Sequence, residues 1–320
     1  MHPVMVRIPF VNLPIYSYGV MLGLSLFVAW YIINYLGGKK ENLDRELMSN
    51  CFMVTAISAL VGSRILYIIT NFEELPTPLD WIWISKGGLV AYGGFLGGYL
   101  GSHIYLWRKK VPLGVWADCA APTLGSGLML TRIGCYLYGC DFGERLPADA
   151  PDWLAWLGTF PHWHFPQNDP SGSPAFSHHV STYGLSQSAD ASFPVHPTQL
   201  YESSVGLVLF GVAALVWRFR SFRGQVTLVL VMLYGTWRFF VETLRDDPER
   251  GALGGFSTSQ IISMALVPIA VLAYVMVRKR KKDHGEPTIP ESALAKPDTE
   301  STTAAAKGPS SVRRVWKTKK

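Results

Sequence analysis

Charged residues are scarce in this chain. Asp, Glu, Lys and Arg make up 16% of its 320 residues, whereas 49% are hydrophobic. Apolar runs recur too regularly, and with connections too short and basic, for the core helices of a large soluble protein. Cysteine is also rare: Cys51, Cys119, Cys135 and Cys140 do not make a disulfide framework. The N-terminal stretch lacks a basic n-region and an A-x-A site, so the first apolar run is expected to be an uncleaved anchor. No internal repeat is visible. His162, His164, His178 and His179 match no standard zinc spacing, so no metal is expected.

What the chain has is length without charge. Its mean hydropathy is +0.19 despite a polar tail. Runs of about 20 apolar residues, enough to cross a hydrocarbon core, fall at 15–36, 47–70, 88–107, 115–138, 200–218, 224–243 and 259–277. Basic residues alternate between the connections. Lys39, Lys40 and Arg45 fill the first, Arg108, Lys109 and Lys110 the third, and Arg218, Arg220 and Arg223 the fifth. Arg278–Lys282 follow the last span, and the intervening loops hold few. This pattern predicts an all-α, polytopic protein with seven transmembrane helices, its N-terminus outside and C-terminus inside. It also accounts for the net charge of +6 without a nucleic-acid partner.

The expected organisation is one helical membrane domain over 1–282, an exterior head over about 141–199, and a disordered, basic cytoplasmic tail over 283–320. Trp153, Trp156 and Trp163 in the head suit a membrane interface. Gly93, Gly94, Gly97, Gly98 and Gly101 in span three suit close helix approach in lipid. Cys51 and Cys119 are packing residues. Cys135 and Cys140 admit three readings: packing, a disulfide, or chemistry. They stand about 140° apart on a continuous helix, so a disulfide requires the helix to end near Gly139.

Ionisable groups at membrane depth are costly and mark sites facing a bundle interior. Arg64, Arg132, Arg238 and Glu242 fall in the later parts of outward-running spans. Tyr18, Tyr92 and the 196–202 stretch fall at the starts of inward-running ones. All therefore belong to one layer toward the outer face. Arg238 and Glu242 are four apart on one helix face. With Arg132 added, two guanidinium groups meet one carboxylate, and an anion would balance the excess through bidentate bonds. The layer points to an enzyme or carrier acting on an anionic lipid headgroup.

At these residues the chain resembles the prolipoprotein diacylglyceryl transferase family, over roughly 14–277. His196-Pro197-Thr198-Gln199-Leu200-Tyr201-Glu202 is similar to the family's H-P-[ST]-Q-L-Y-E. Arg238-Phe-Phe-Val-Glu242-Thr-Leu-Arg245 fits R-F-x-x-E-x-x-R, with Tyr234 at the upstream tyrosine. Tyr18-Gly19 resembles the tyrosine–glycine of the first span. Thr131-Arg132-Ile133-Gly134 fits the opening of G-R-x-G-N-F-x-N-G-E. The pattern's asparagine and glutamate are Cys135 and Cys140 here, and its span-three His-Gly-Gly is Tyr92-Gly93-Gly94. His103 does not replace that histidine, lying about 16 Å further along the helix.

The resemblance implies a seven-span enzyme of the bacterial inner membrane. Such an enzyme moves diacylglyceryl from phosphatidylglycerol to the lipobox cysteine thiol of a prolipoprotein, without a cofactor. Arg132 and Arg238 would hold the leaving phosphate, and Glu242 would orient Arg238 or exchange a proton. Tyr92 or His196 would be the base. Tyr18, Tyr234, Arg245 and Gln199 would contact substrate. The alternatives are a catalytically altered paralogue that binds lipid or prolipoprotein, and a lipid or anion transporter. The transporter fits less well, because the polar layer lies toward one face and no repeat is present.

Overall fold

In lipid every backbone polar group must find its partner within the segment, so long apolar runs become helices. The computed structural model describes residues 4–8, 13–75, 77, 81, 88–162, 172–245, 252–253 and 255–295. Its long helices are α1 (Ser17–Glu41), α2 (Arg45–Thr70), α3 (Ala91–Arg108), α4 (Leu113–Tyr138), α7 (Thr198–Phe219), α8 (Gln225–Val241) and α9 (Thr258–His284). Two short ones, α5 (Asp152–Leu157) and α6 (Pro174–Tyr183), lie between α4 and α7. The long helices coincide with the expected spans to within a few residues at most ends. The exceptions are α1 and α9, which run on through Lys39–Lys40 and Arg278–Lys282, where basic side chains complement the helix C-terminus.

Polarity in the bundle is inside out. On α2, Met53, Ile57, Leu60, Val61, Ile65 and Ile69 are exposed, whereas Ser63 and Arg64 are buried. On α9, Ile269 and Leu272 are exposed while Ser259, Gln260 and Ser263 are buried. Large apolar faces turned outward over buried polar groups belong to a chain whose solvent is lipid. Among the described residues α1, α2, α7, α9, and α8 with the turn after it, are long and apolar enough to cross a membrane. The protein is therefore a mostly helical, polytopic membrane protein. The other two expected spans, α3 and α4, are diluted by glycine and by Asp118 and Arg132.

Two antiparallel ribbons correct the all-α expectation: β1 (Val4–Ile8) with β2 (Leu13–Tyr16), and β3 (Ala252–Leu253) with β4 (Phe256–Ser257). Each precedes a helix, and Ser257 closes a capping box with Gln260 at the start of α9.

Helix pairs approach through glycine. α2 and α3 meet backbone to backbone where Gly62 faces Gly93 and Gly97, the role expected of the span-three glycines. α4 and α7 meet at Gly125 and Gly206. A Cβ on Gly206 would stand 2.5 Å from the Met129 amide nitrogen and 2.8 Å from the Gly125 carbonyl oxygen.

At the other end of the bundle from the head, Asp118 of α4 is wholly buried against the start of α8. It accepts from Arg220 at 3.1 Å, from the Gly224 amide at 2.9 Å and from the Thr227 amide and hydroxyl at 3.1 Å. The C-terminal segment packs at this end too, which shortens the expected disordered tail. Arg223 donates to the Pro287 carbonyl at 2.8 Å, and Leu43 bridges Leu294. Ala293 is buried among Ile33, Leu43, Leu47 and Met48. Residues 296–320, with the terminal basic cluster, lie outside the described residues.

The head is held by a small core of Phe142, Phe160, Ala175 and Val195, with Tyr136 of α4 against it. His162 stacks on Phe176, and His178 and His179 pack around Phe142 and Tyr183. Trp153 and Trp156 are exposed on α5. Trp163 and His164 lie outside the described residues.

Because the α4–α7 contact admits no side chain, Gly206→Leu is expected to destabilise the detergent-solubilised protein by roughly 1–3 kcal/mol through overpacking, read as a lower melting temperature. Gly211→Ala, on the same helix with open space around it, should leave melting unchanged. Equal melting of both variants would contradict this packing.

Candidate active site

The ionisable residues picked from the sequence sit at helix ends on the head side of the bundle. Arg132 lies near the end of α4 and Arg238 near the end of α8. Glu242 opens the 3-10 turn Glu242–Leu244, which Arg245 follows. Tyr92 and Ser259 are the second residues of α3 and α9, and Glu202 is in the second turn of α7.

Glu202 is the centre. Its side chain is 1% exposed. One carboxylate oxygen pairs with Arg132 Nε, and the other accepts from Arg238 Nη1 at 3.1 Å, with Arg245 Nη1 at 3.9 Å. Three guanidinium groups from separate segments thus converge on one carboxylate. Two more carboxylates flank them. Asp141 takes Arg132 Nη1 at 2.6 Å on one oxygen and Arg245 Nη2 at 2.5 Å on the other. Glu242 pairs with Arg238 Nη2 at 2.8 Å across one helical turn. The same Nη2 donates to Ser259 Oγ at 3.1 Å, and that oxygen also accepts from the Tyr92 hydroxyl at 2.9 Å.

The charge balance differs from the sequence expectation. Arg132, Arg238 and Arg245 face Asp141, Glu202 and Glu242, three against three, so the cluster is formally neutral. Asp141 and Glu202 supply the two carboxylates that the spacing of Arg238 and Glu242 alone does not count. A neutral cluster is what burial demands, since an unmatched charge here costs several kcal/mol.

Local folding makes these pairs possible. Gly139 ends α4 in the left-handed region at φ +83°, and Asp141 is left-handed too, at φ +57°. This hook returns the Asp141 side chain toward Arg132. Thr198 Oγ1 fastens it by donating to the Asp141 carbonyl at 2.7 Å, as does Gln199 Nε2 to the Cys140 carbonyl at 2.6 Å. Arg245 is placed by backbone pairing with the head. Gly143 bridges Arg245, and the Glu144 amide donates to the Leu244 carbonyl at 2.9 Å.

The structure brings Arg132, Arg238, Glu242, Arg245 and Tyr92 into one network and leaves other candidates at its edge. His196 directs Nδ1 at the Tyr201 hydroxyl, 3.3 Å away, and its backbone pairs with Gly143 and Glu144. Gln199 is fully buried and braces the hook. Tyr234 lies one turn before Arg238, packed on the cluster of Ala121, Leu209 and Leu230. Tyr18 is half exposed beside Gly134 of α4. Arg64 is buried apart from these pairs and donates to the carbonyls of Trp81 and Gly88, at 2.9 Å each. It therefore secures the α2–α3 connection.

Sequence reasoning missed Glu202, Asp141 and Ser259 as site residues. The signal for the first was its place closing the 196–202 motif one helical turn after Thr198. For the second it was a carboxylate just past a helix-ending glycine. Ser259 offered none.

Fold and site define a polytopic membrane protein built around a buried ionic centre at one end of its bundle. The sequence profile of the prolipoprotein diacylglyceryl transferase family matches residues 3–276. The chain is 31% identical over 281 residues to phosphatidylglycerol–prolipoprotein diacylglyceryl transferase 2 of Clostridium perfringens, a match covering 86% of this chain and 96% of that one. It is 28% identical to the phosphatidylglycerol–prolipoprotein diacylglyceryl transferases of Clostridium tetani and Thermus thermophilus. These matches cover 85% and 83% of this chain, and 96% and 94% of theirs. The chain belongs to the prolipoprotein diacylglyceryl transferase family.

Burial pushes the Asp141 carboxyl up, but the guanidinium groups of Arg132 and Arg245 more than offset this and hold it at about 2. Its folded pKa is thus below the unfolded value of about 3.9. The stabilisation is full above that value and is lost as pH falls through about 2. Asp141→Asn should therefore melt lower than the native chain by a constant margin from pH 8 to about 5, a margin that shrinks only below about pH 4. A margin that vanishes near neutrality would contradict the pairing.

Proposed function

We propose that the cluster around Glu202 is where a diacylglyceryl group passes from phosphatidylglycerol to the lipobox cysteine thiol of a prolipoprotein, the first step of lipoprotein maturation. Membership of a transferase family supports the reaction class. The convergence of Arg132 and Arg238 on one carboxylate carries the site assignment, because planar guanidinium forks held together suit a phosphodiester. The proposed setting is the bacterial inner membrane, crossed seven times, with the head and the N-terminus outside and the C-terminus inside.

The reaction has two demands. The thiol, with an ordinary pKa of about 8.5, must lose its proton, and the departing glycerol phosphate must be stabilised. Sulfur attacks the glyceryl carbon, a C–S bond forms, and the C–O bond to phosphate breaks. In a neutral cluster the two demands couple. A carboxylate that takes the thiol proton releases the guanidinium it held, and that guanidinium can then turn to the leaving phosphate.

Glu242 is the carboxylate we assign to this role. Glu202 ties α7 to α4 and α8, and Asp141 ties the end of α4 to Arg245. Glu242 pairs with Arg238 within one segment, so its release leaves the helices joined. Tyr92 donates to Ser259 on the same edge of Arg238 and steadies that edge as a proton-bearing phenol. His196, held by Tyr201, serves the head.

The test is complementation in cells depleted of their own transferase, with lipid labelling of a lipobox peptide as readout. Arg132→Ala and Arg238→Ala should each lower labelling about 100-fold or more, the scale of a lost electrostatic contact to a developing anion. Glu242→Gln, which keeps shape but cannot take a proton, should lower it about 100-fold. Normal labelling by both arginine variants would refute the site.

A further inference from the structure

Cys135 and Cys140 play no part in the transfer just described, yet the fold brings them together. Helix α4 stops between them. The amides of Gly139 and Cys140 both turn back to the Cys135 carbonyl, at 2.7 and 3.2 Å. This turn removes the wide angular separation that a continuous helix would impose. The two Sγ atoms and an Asp141 carboxylate oxygen all lie within 4.8 Å of one another. Both residues are thiols. Cys135 is buried and Cys140 is partly open to its surroundings.

We infer that Cys135 and Cys140 form a redox-active dithiol, a modification site whose reactant is a disulfide. Cys140, the more accessible, attacks one sulfur of the incoming disulfide as its thiolate. A mixed disulfide forms and one thiolate leaves. Cys135 then attacks Cys140 Sγ, an intramolecular Cys135–Cys140 bond forms, and the second thiolate leaves. The two cysteines lose two electrons and two protons, and the reactant is reduced to two thiols. Bond formation requires the sulfurs to close the remaining gap, which the left-handed turn at Gly139 has already narrowed to within 4.8 Å.

A metal suits the same atoms poorly. Asp141 already holds Arg132 and Arg245, so a cation bound by the thiols would face two guanidinium groups. The bond would tie the end of α4 to the hook that carries Asp141, beside Arg132, which reaches Cys135 Sγ at 3.9 Å. The thiol chemistry does not depend on the transfer reading. Only the supply of oxidant does depend on the proposed orientation, which faces this end of the bundle to the oxidising side.

The full-length protein in membranes is treated with oxidised glutathione, alkylated under denaturing conditions and digested with trypsin. The peptide Ile133–Arg145, which contains both cysteines, should be unalkylated and lighter by two hydrogens. Reductant should restore both alkylation sites. Cys135→Ser should instead trap glutathione on Cys140. Three results would overturn the inference: both thiols still alkylated after oxidation, a link between two chains in place of the internal one, or protection reversed by a chelator but not by reductant. Because the readout is a mass, it stands whether or not labelling of a lipobox peptide is found.

Discussion

A carboxylate sealed between guanidinium groups is the interaction on which this structure depends. Glu202 has almost no contact with solvent and joins α7 to Arg132 of α4 and Arg238 of α8. Removing one member of such a set leaves an uncompensated buried charge, which costs far more than the set contributes as a whole. The helices carrying these residues are therefore held to one geometry at the head end, while elsewhere glycine contacts let them close up. Position matters more than net stability here. Arginine forks from separate helices are fixed within reach of one another, the preorganisation that the proposed reaction would require.

Neutrality gives the cluster a second property. A set of three positive and three negative groups can rest buried without a ligand, yet it releases a positive edge whenever one carboxylate is protonated. On the proposed reading, substrate deprotonation and leaving-group stabilisation would be two sides of one event. The head contributes by position: its backbone pairs with the segment holding Arg245, and its first residues form the hook that turns Asp141 inward.

Much of this was legible in the sequence. The long helices followed from apolar length, and the alternation of their direction brings Arg132, Arg238, Glu242 and Tyr92 to one end of the bundle. Spacing showed the Arg238–Glu242 pair, because residues four apart on a helix are neighbours. Spacing could not show which carboxylate from another helix stands opposite, so the cluster read as unbalanced. Asp141 was hidden by its left-handed backbone, a conformation that its residue type permits but does not announce. The ribbon before α1 and the docking of 285–295 were equally invisible, since both depend on partners distant in sequence. Arg64 illustrates the converse: a buried arginine at the right depth serves a loop carbonyl as readily as a ligand.

Glu202 couples Arg132 and Arg238 directly. A double-mutant cycle on thermal unfolding tests it, using Glu202→Gln with Arg132→Gln and, separately, with Arg238→Gln. Coupling of about 1–3 kcal/mol is expected in both cycles, because each single change strands a buried charge that the double change relieves. Additive effects in either cycle would mean that the two guanidinium groups do not share this carboxylate, and the site as described would be wrong.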